Sequence, residues 1–132
     1  MPRTPTALIP AALLATAAVL APAGEVTIPV IADATLYENL AGDTANGSGR
    51  GFFVGRNNSG GLYRSLLKFD IAGTVPAGAT IESVSLRLYC SRAISPPTDV
   101  SLHRAIGVWD EGPADPFGNE GAGAPAQAGD VT

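Results

Sequence analysis

Leu62-Tyr63-Arg64-Ser65-Leu66-Leu67-Lys68-Phe69-Asp70-Ile71 decides how this chain is read. Ser65, Leu67, Phe69 and Ile71 alternate with Arg64, Leu66, Lys68 and Asp70. One face is mainly large and apolar and the other mainly charged, the period-two pattern of a half-buried strand. Just upstream, Asn57-Asn58-Ser59-Gly60-Gly61 is turn chemistry, and Phe52 to Arg56 reads as the other arm of a hairpin. Downstream, Val75 to Ala79 is a turn built on Pro76-Ala77-Gly78. Thr80 to Cys90 is then a second strongly alternating segment. It sets Val84, Leu86, Leu88 and Cys90 against Ser83, Ser85, Arg87 and Tyr89. Ser95-Pro96-Pro97-Thr98 breaks it. Asp99 to Ile106 resumes the pattern, with Val100 and Leu102 inward and Ser101 and His103 outward. Near the start, Val26, Ile28 and Val30 alternate with Thr27, Pro29 and Ile31, an edge strand because proline has no N–H to donate. Ala34 to Tyr37 reads as a second short strand, and Asn39 to Gly51 as a long turn-rich loop.

Composition agrees with this reading. The chain has 132 residues, room for one domain. It holds 16 glycines and 11 prolines, and only 15% of its residues are charged, against about 25% in ordinary soluble domains. No segment of helical period and length appears after Ala23. Strand signals recur with turns between them, so the expected fold is all-β. That pattern means an antiparallel sandwich or barrel. Gly112 to Thr132 is a Gly/Ala/Pro-rich loop or disordered tail by composition, and the sandwich domain is expected over residues 24–111.

The first residues have a separate reading. Arg3 precedes an almost unbroken apolar run from Ala7 to Ala21, and Ala21-Pro22-Ala23 offers small residues at the exit. Residues 1–23 are therefore expected to be a secretory signal peptide. The run is shorter than the ~20 residues a spanning helix needs, so no membrane span is expected in the mature chain. The expected location is secreted or cell-surface, and other modules of a longer exported protein are possible partners. In that compartment the lone Cys90 is either buried and inert or paired between molecules, and its alternating strand favours burial.

Charge narrows the partners. Eight Lys+Arg stand against twelve Asp+Glu, for a net charge of −4. Nucleic acid is not expected, because neutralising phosphates takes clustered Lys and Arg and Lys68 is the only lysine. Gly47-Ser48-Gly49-Arg50-Gly51 lacks the spacing of a dinucleotide loop, and no Gly-Lys-Ser/Thr occurs. His103 is the only histidine and no Gly-x-Ser-x-Gly is present. Asp110, Glu111 and Asp115 follow Trp109, but neighbouring carboxylates on a loop ordinarily face water. No catalytic residue is assigned, and enzymatic activity is not expected.

Two binding chemistries stay open. Asp33, Asp43, Asn46 and Ser48 are hard oxygen donors around a flexible loop, the ligand type of a structural calcium. The same residues also simply make turns. A sugar needs flat aromatic faces for its C–H surface and planar polar groups for its hydroxyls. Tyr37, Tyr63, Tyr89 and Trp109 supply the first, and Arg56, Arg64, Arg87, Asn57 and Asn58 the second. Trp109 serves equally well as a core plug, and Arg87 as a solvated strand residue.

Several stretches together resemble one family. These are Arg64 to Ile71, Val75 to Ile81, Val84 to Tyr89, Val100 to Arg104, and Trp109-Asp110-Glu111-Gly112. They resemble the DNRLRE domains, exported β-sandwich modules also grouped as carbohydrate-binding module family 96, over about Val26 to Gly112. The resemblance implies a non-catalytic module, some relatives of which bind acidic polysaccharides. Arg64, Lys68 and Arg87 would then meet uronate carboxylates through charge-assisted hydrogen bonds. Relatives continue with further strands past Gly-Asp-x-Thr, whereas this sequence stops at Gly129-Asp130-Val131-Thr132, so with the resemblance the expected fold is an all-β antiparallel jelly-roll-like β-sandwich lacking its last strands. The expected function is polysaccharide binding as an accessory or surface module. The alternatives are a structural or adhesive surface domain without a sugar site, or the N-terminal part of a larger exported enzyme.

Overall fold

The computed structural model describes residues 24–39, 41–94 and 96–132, and the expected signal peptide lies outside them. The described residues are all-β with almost no helix. β1 is Val30–Tyr37, β2 Thr44–Asn46, β3 Gly55–Arg56, β4 Leu62–Phe69 and β5 Ala124–Pro125. They form one antiparallel sheet in the order β3-β4-β1-β2-β5. Among the described residues one helix, α1, covers Ile71–Thr74.

β1 and β4 carry the sheet. Tyr37 pairs with Tyr63, Thr35 with Ser65 and Asp33 with Leu67, and a bulge follows between Val30 and Ala32. Directly opposed residues share a face of the sheet. Tyr37, Thr35, Asp33, Tyr63, Ser65 and Leu67 therefore share one face. Leu36, Ala34, Ala32, Arg64, Leu66 and Lys68 share the other. Arg64 and Lys68 are exposed, as the alternation anticipates, and Ser65, Leu67 and Phe69 are half-buried. The strand ends two residues before the pattern suggests. Asp70 caps α1 by accepting the Gly73 N–H (2.9 Å), which sends Ile71 into solvent.

The expected edge strand around Pro29 is corrected. β1 begins at Val30, joins the two short segments read from the sequence, and lies in the middle of the sheet. A proline there would remove a ladder hydrogen bond, so the strand starts just past it. The loop from Asn39 to Gly51 is likewise not without strand, since β2 lies inside it.

Phe52 to Val54 does not extend β3, because its backbone groups go elsewhere. The Phe53 N–H donates to Thr35 Oγ1 (3.0 Å), and Ser65 Oγ donates to the Phe53 carbonyl (2.7 Å). Thr35 and Ser65 are opposed across β1 and β4, so one cross-strand pair clamps both polar groups of one residue. This explains why Thr35 is fully buried yet satisfied. The buried core of the described residues is small and partly polar: Ala34, Tyr37, Ala45 and Ala114, with Thr35 and Asn46.

Residues 112–132 do more than their composition suggests. β5 pairs with β2, and the Ala126 N–H donates to the Asp43 carbonyl (2.8 Å). The Gly47 and Ser48 N–H groups both donate to the Ala114 carbonyl (3.0 and 3.1 Å). Tyr37 Oη donates to the Glu120 carbonyl (2.5 Å) and Tyr63 Oη to that of Gly121 (2.8 Å). The stretch docks through hydrogen bonds rather than apolar side chains, so a search for large hydrophobic residues passes over it.

The segments Thr80 to Cys90 and Asp99 to Ile106 depart most from expectation. Among the described residues neither carries strand pairing, and the sheet edges β3 and β5 meet neither. Val84, Leu88, Val100, Leu102 and Ile106 are exposed. Cys90, expected to be buried, is exposed as well. Alternation marks side chains that suit a strand. The strand itself needs a neighbour to accept its hydrogen bonds. The two segments do approach the sheet at one place. Leu88, Val100, Ser101 and Leu102 share a recess of about 60 Å³ with Phe52, Val54, Ser65 and Leu67.

Candidate functional site

The candidate site grows from the solvent face of β4. Arg64 and Lys68 stand four residues apart on that face, about 13 Å at the rise of a strand. Lys68 reaches the segment that follows Val108. Its Nζ lies 5.8 Å from the centroid of the Trp109 ring. It also donates to the Trp109 carbonyl (3.5 Å) and pairs with Asp110 Oδ1 at 3.6 Å. Both partners of that ion pair are well exposed, so it contributes little stability. A cation over an exposed indole adds about 0.5–1 kcal/mol. The grouping therefore orders the indole without burying it, and Trp109 is half-buried.

An open cleft of about 260 Å³ lies beside it, lined by Val108, Trp109, Asp110, Gly129, Asp130 and Val131. Its far wall is held firmly. Asp130 Oδ1 accepts the Ala114 N–H (3.0 Å) and Oδ2 the Gln127 N–H (2.5 Å). The near wall is tied to the sheet by Glu111, whose Oε1 accepts the Asp33 N–H at 3.4 Å.

Burial pushes the Asp33 carboxyl above its ordinary range, and the nearby Glu111 charge pushes it the same way. A carboxyl with a raised pKa in the fold favours folding only while protonated, below the unfolded value near 4. That contribution disappears as the pH rises through the folded value. Asp33→Asn is therefore expected to stabilise the protein at neutral pH. The gain is on the order of 0.5 kcal/mol, the scale of a half-exposed site. Thermal melts from pH 3 to 8 check it: the difference from wild type should vanish at the acid end and open as the pH rises.

The expected sugar residues separate in space. Lys68 and Trp109 are brought together, and Arg64 shares the Lys68 face. Tyr63 is corrected: its ring is not an open platform. It meets Tyr37 edge-on at 4.9 Å and Phe53 at 6.4 Å, and its hydroxyl is held by Asn57 Nδ2 (3.2 Å) and the Gly121 carbonyl. Its register opposite Tyr37 places it on the face that residues 116–123 cover. Tyr89 is 92% exposed and lines neither the cleft nor the recess, and Arg87 beside it is also exposed.

The oxygen donors weighed for calcium turn to different partners. Asn46 is buried; its Oδ1 accepts the Gly49 N–H (3.1 Å) and its Nδ2 donates to the Gly51 carbonyl (3.0 Å). Asp43 accepts from Asn39 and Thr44, and Asp33 faces Glu111. Among the described residues no group of three or more His, Cys, Asp or Glu is placed to hold a metal. No helix there is long and apolar enough to cross a membrane.

Asp130 and Val131 were not nominated by the sequence. They lie some twenty residues from Trp109, in a stretch whose composition reads as loop, and no local spacing links the two. No protein-family model, curated protein or solved structure matches the chain. The likeness to the DNRLRE domains rests on the residues quoted above.

Proposed function

We propose that this chain is an exported, non-catalytic β-module that binds a polysaccharide at the Trp109 cleft. Its frame is a jelly-roll-like sandwich in which Thr80 to Cys90 and Asp99 to Ile106 belong to the second layer. The observation that carries the reading is the grouping of an indole, an ammonium and a carboxylate at the mouth of an open cleft. An indole covers the C–H face of a pyranose. Lys68 and Asp110 offer a donor and an acceptor to its hydroxyls, and both are accessible. The shared recess of Leu88, Val100 and Leu102 with Leu67 supports the two-layer frame.

A second reading has its own observation. Val84, Leu102 and Ile106 are exposed apolar side chains on segments of strand character. A structural surface domain would cover them by pairing with a neighbour.

The test is affinity electrophoresis of the protein through gels cast with neutral and acidic polysaccharides. Retardation on at least one is expected. Trp109→Ala should weaken the retained complex at least tenfold, as loss of a central aromatic anchor does. The circular dichroism of that variant should match wild type, because Trp109 lies outside the sheet. Free migration of the wild type through every gel defeats the proposal.

A further inference from the structure

The lining of the Trp109 cleft carries charge of one sign. Among its lining residues, Asp110 and Asp130 are acidic, and none is Lys, Arg or His. Glu111 and Asp33 stand behind the near wall, joined through the Asp33 N–H. Asp33 carries a direct mark of this crowding, since the Glu111 charge disfavours its ionisation in addition to burial. Lys68, the cation at the mouth of the cleft, is already engaged by Asp110 at 3.6 Å and by the Trp109 carbonyl. Arg64 sits a further four residues along β4, about 13 Å away, beyond one Debye length at physiological salt.

Resting on the carbohydrate reading above, we infer that the cleft takes an uncharged sugar and rejects one bearing a carboxylate. A uronate set on the indole would meet two lining carboxylates, and it would have to compete with Asp110 for Lys68. Like charges placed this way discriminate by repulsion rather than by added attraction. A neutral hexose keeps both useful features. Its C–H face lies on Trp109, and its hydroxyls donate to Asp110 while accepting from Lys68. Rejection of uronate differs from the acidic ligand implied by the family resemblance. It follows from where Lys68 and Asp110 lie, not from how many basic residues the strands carry.

The experiment compares soluble neutral dextran and β-glucan with polygalacturonate in affinity gels, using the full chain and two variants. Asp110→Asn removes one lining charge. Glu82→Gln changes the net charge equally on an exposed residue that lines no cleft. The wild type should be held by a neutral polymer at least about fivefold more tightly than by polygalacturonate. Asp110→Asn should narrow that gap by about two- to threefold, whereas Glu82→Gln leaves it unchanged. Equal or stronger retention by polygalacturonate overturns the inference and leaves the carbohydrate reading standing. An equal response of the two variants also overturns it, because net charge and not the cleft would then select. Retention by no polymer overturns the carbohydrate reading and this inference with it.

Discussion

Tyr37→Ala is expected to destabilise the fold by about 3–5 kcal/mol, the usual penalty for emptying a buried aromatic site. Tyr37 is 9% exposed, and its ring lies edge-on to Tyr63 at 4.9 Å. Its hydroxyl donates to the Glu120 carbonyl, beside the bond from Tyr63 to Gly121. Two tyrosines opposed across β1 and β4 thus hold the 116–123 turn against the sheet. Deleting one ring opens a cavity and frees half of that attachment. Domains of this size have only about 5–15 kcal/mol in hand, so the loss is a large share. Tyr37→Phe keeps the ring and forfeits one hydrogen bond, for about 1 kcal/mol. Urea unfolding of the three proteins checks the order, and an alanine variant within 1 kcal/mol of wild type would be inconsistent with it. Burial also holds the Tyr37 phenol above its ordinary range. The stability it confers is therefore complete below about pH 10 and falls as the pH rises past that.

Gly47→Ala should cost about 3 kcal/mol, at the severe end of overpacking. Gly47 needs no unusual backbone angle; it needs room. A Cβ built there would sit 2.5 Å from the Gly112 carbonyl oxygen and 2.7 Å from the Glu111 carbonyl carbon. Those are backbone atoms, which cannot swing aside as a side-chain tip does. The close approach lets the Gly47 and Ser48 N–H groups share the Ala114 carbonyl. It also fixes the segment that carries Trp109, Asp110 and Glu111 toward β1. The variant should therefore lose saccharide binding along with stability, in contrast to Asp33→Asn, which should keep it. A Gly47→Ala protein as stable as wild type would mean that residues 111–114 do not pass there.

Alternation of large side chains is legible in the sequence, whereas a strand's hydrogen-bond partner is not. β4 announces itself by alternation, and the Asn57–Gly61 turn by its residues; the Asn57 N–H donates to the Gly61 carbonyl at 3.0 Å. β1 is half legible: Ala34 to Tyr37 reads as strand, but the upstream alternation reads through Pro29 as a separate edge strand, and the central position depends on a partner some thirty residues away. Thr80 to Cys90 has the same alternation as β4 without a neighbour, and a period-two pattern does not reveal whether a partner exists. β2 and β5 carry no such signal, because Thr44-Ala45-Asn46 and Ala124-Pro125 offer no alternation of large apolar side chains, and they pair through the backbone. The site followed the same rule. Trp109 is nominated by its side-chain chemistry and Lys68 by the family resemblance. Their meeting, and the wall that Asp130 forms opposite, come from tertiary packing that no local spacing encodes.

Trp109 is the only tryptophan in the chain, so its fluorescence reports on the cleft alone. Titrating the protein with a soluble polysaccharide that retards it in gels should shift and then saturate the indole emission. Lys68→Ala should alter the amplitude of that change, because it removes the cation from the ring. A polysaccharide that retards the protein yet leaves the emission of Trp109 unchanged would place binding elsewhere and contradict the account.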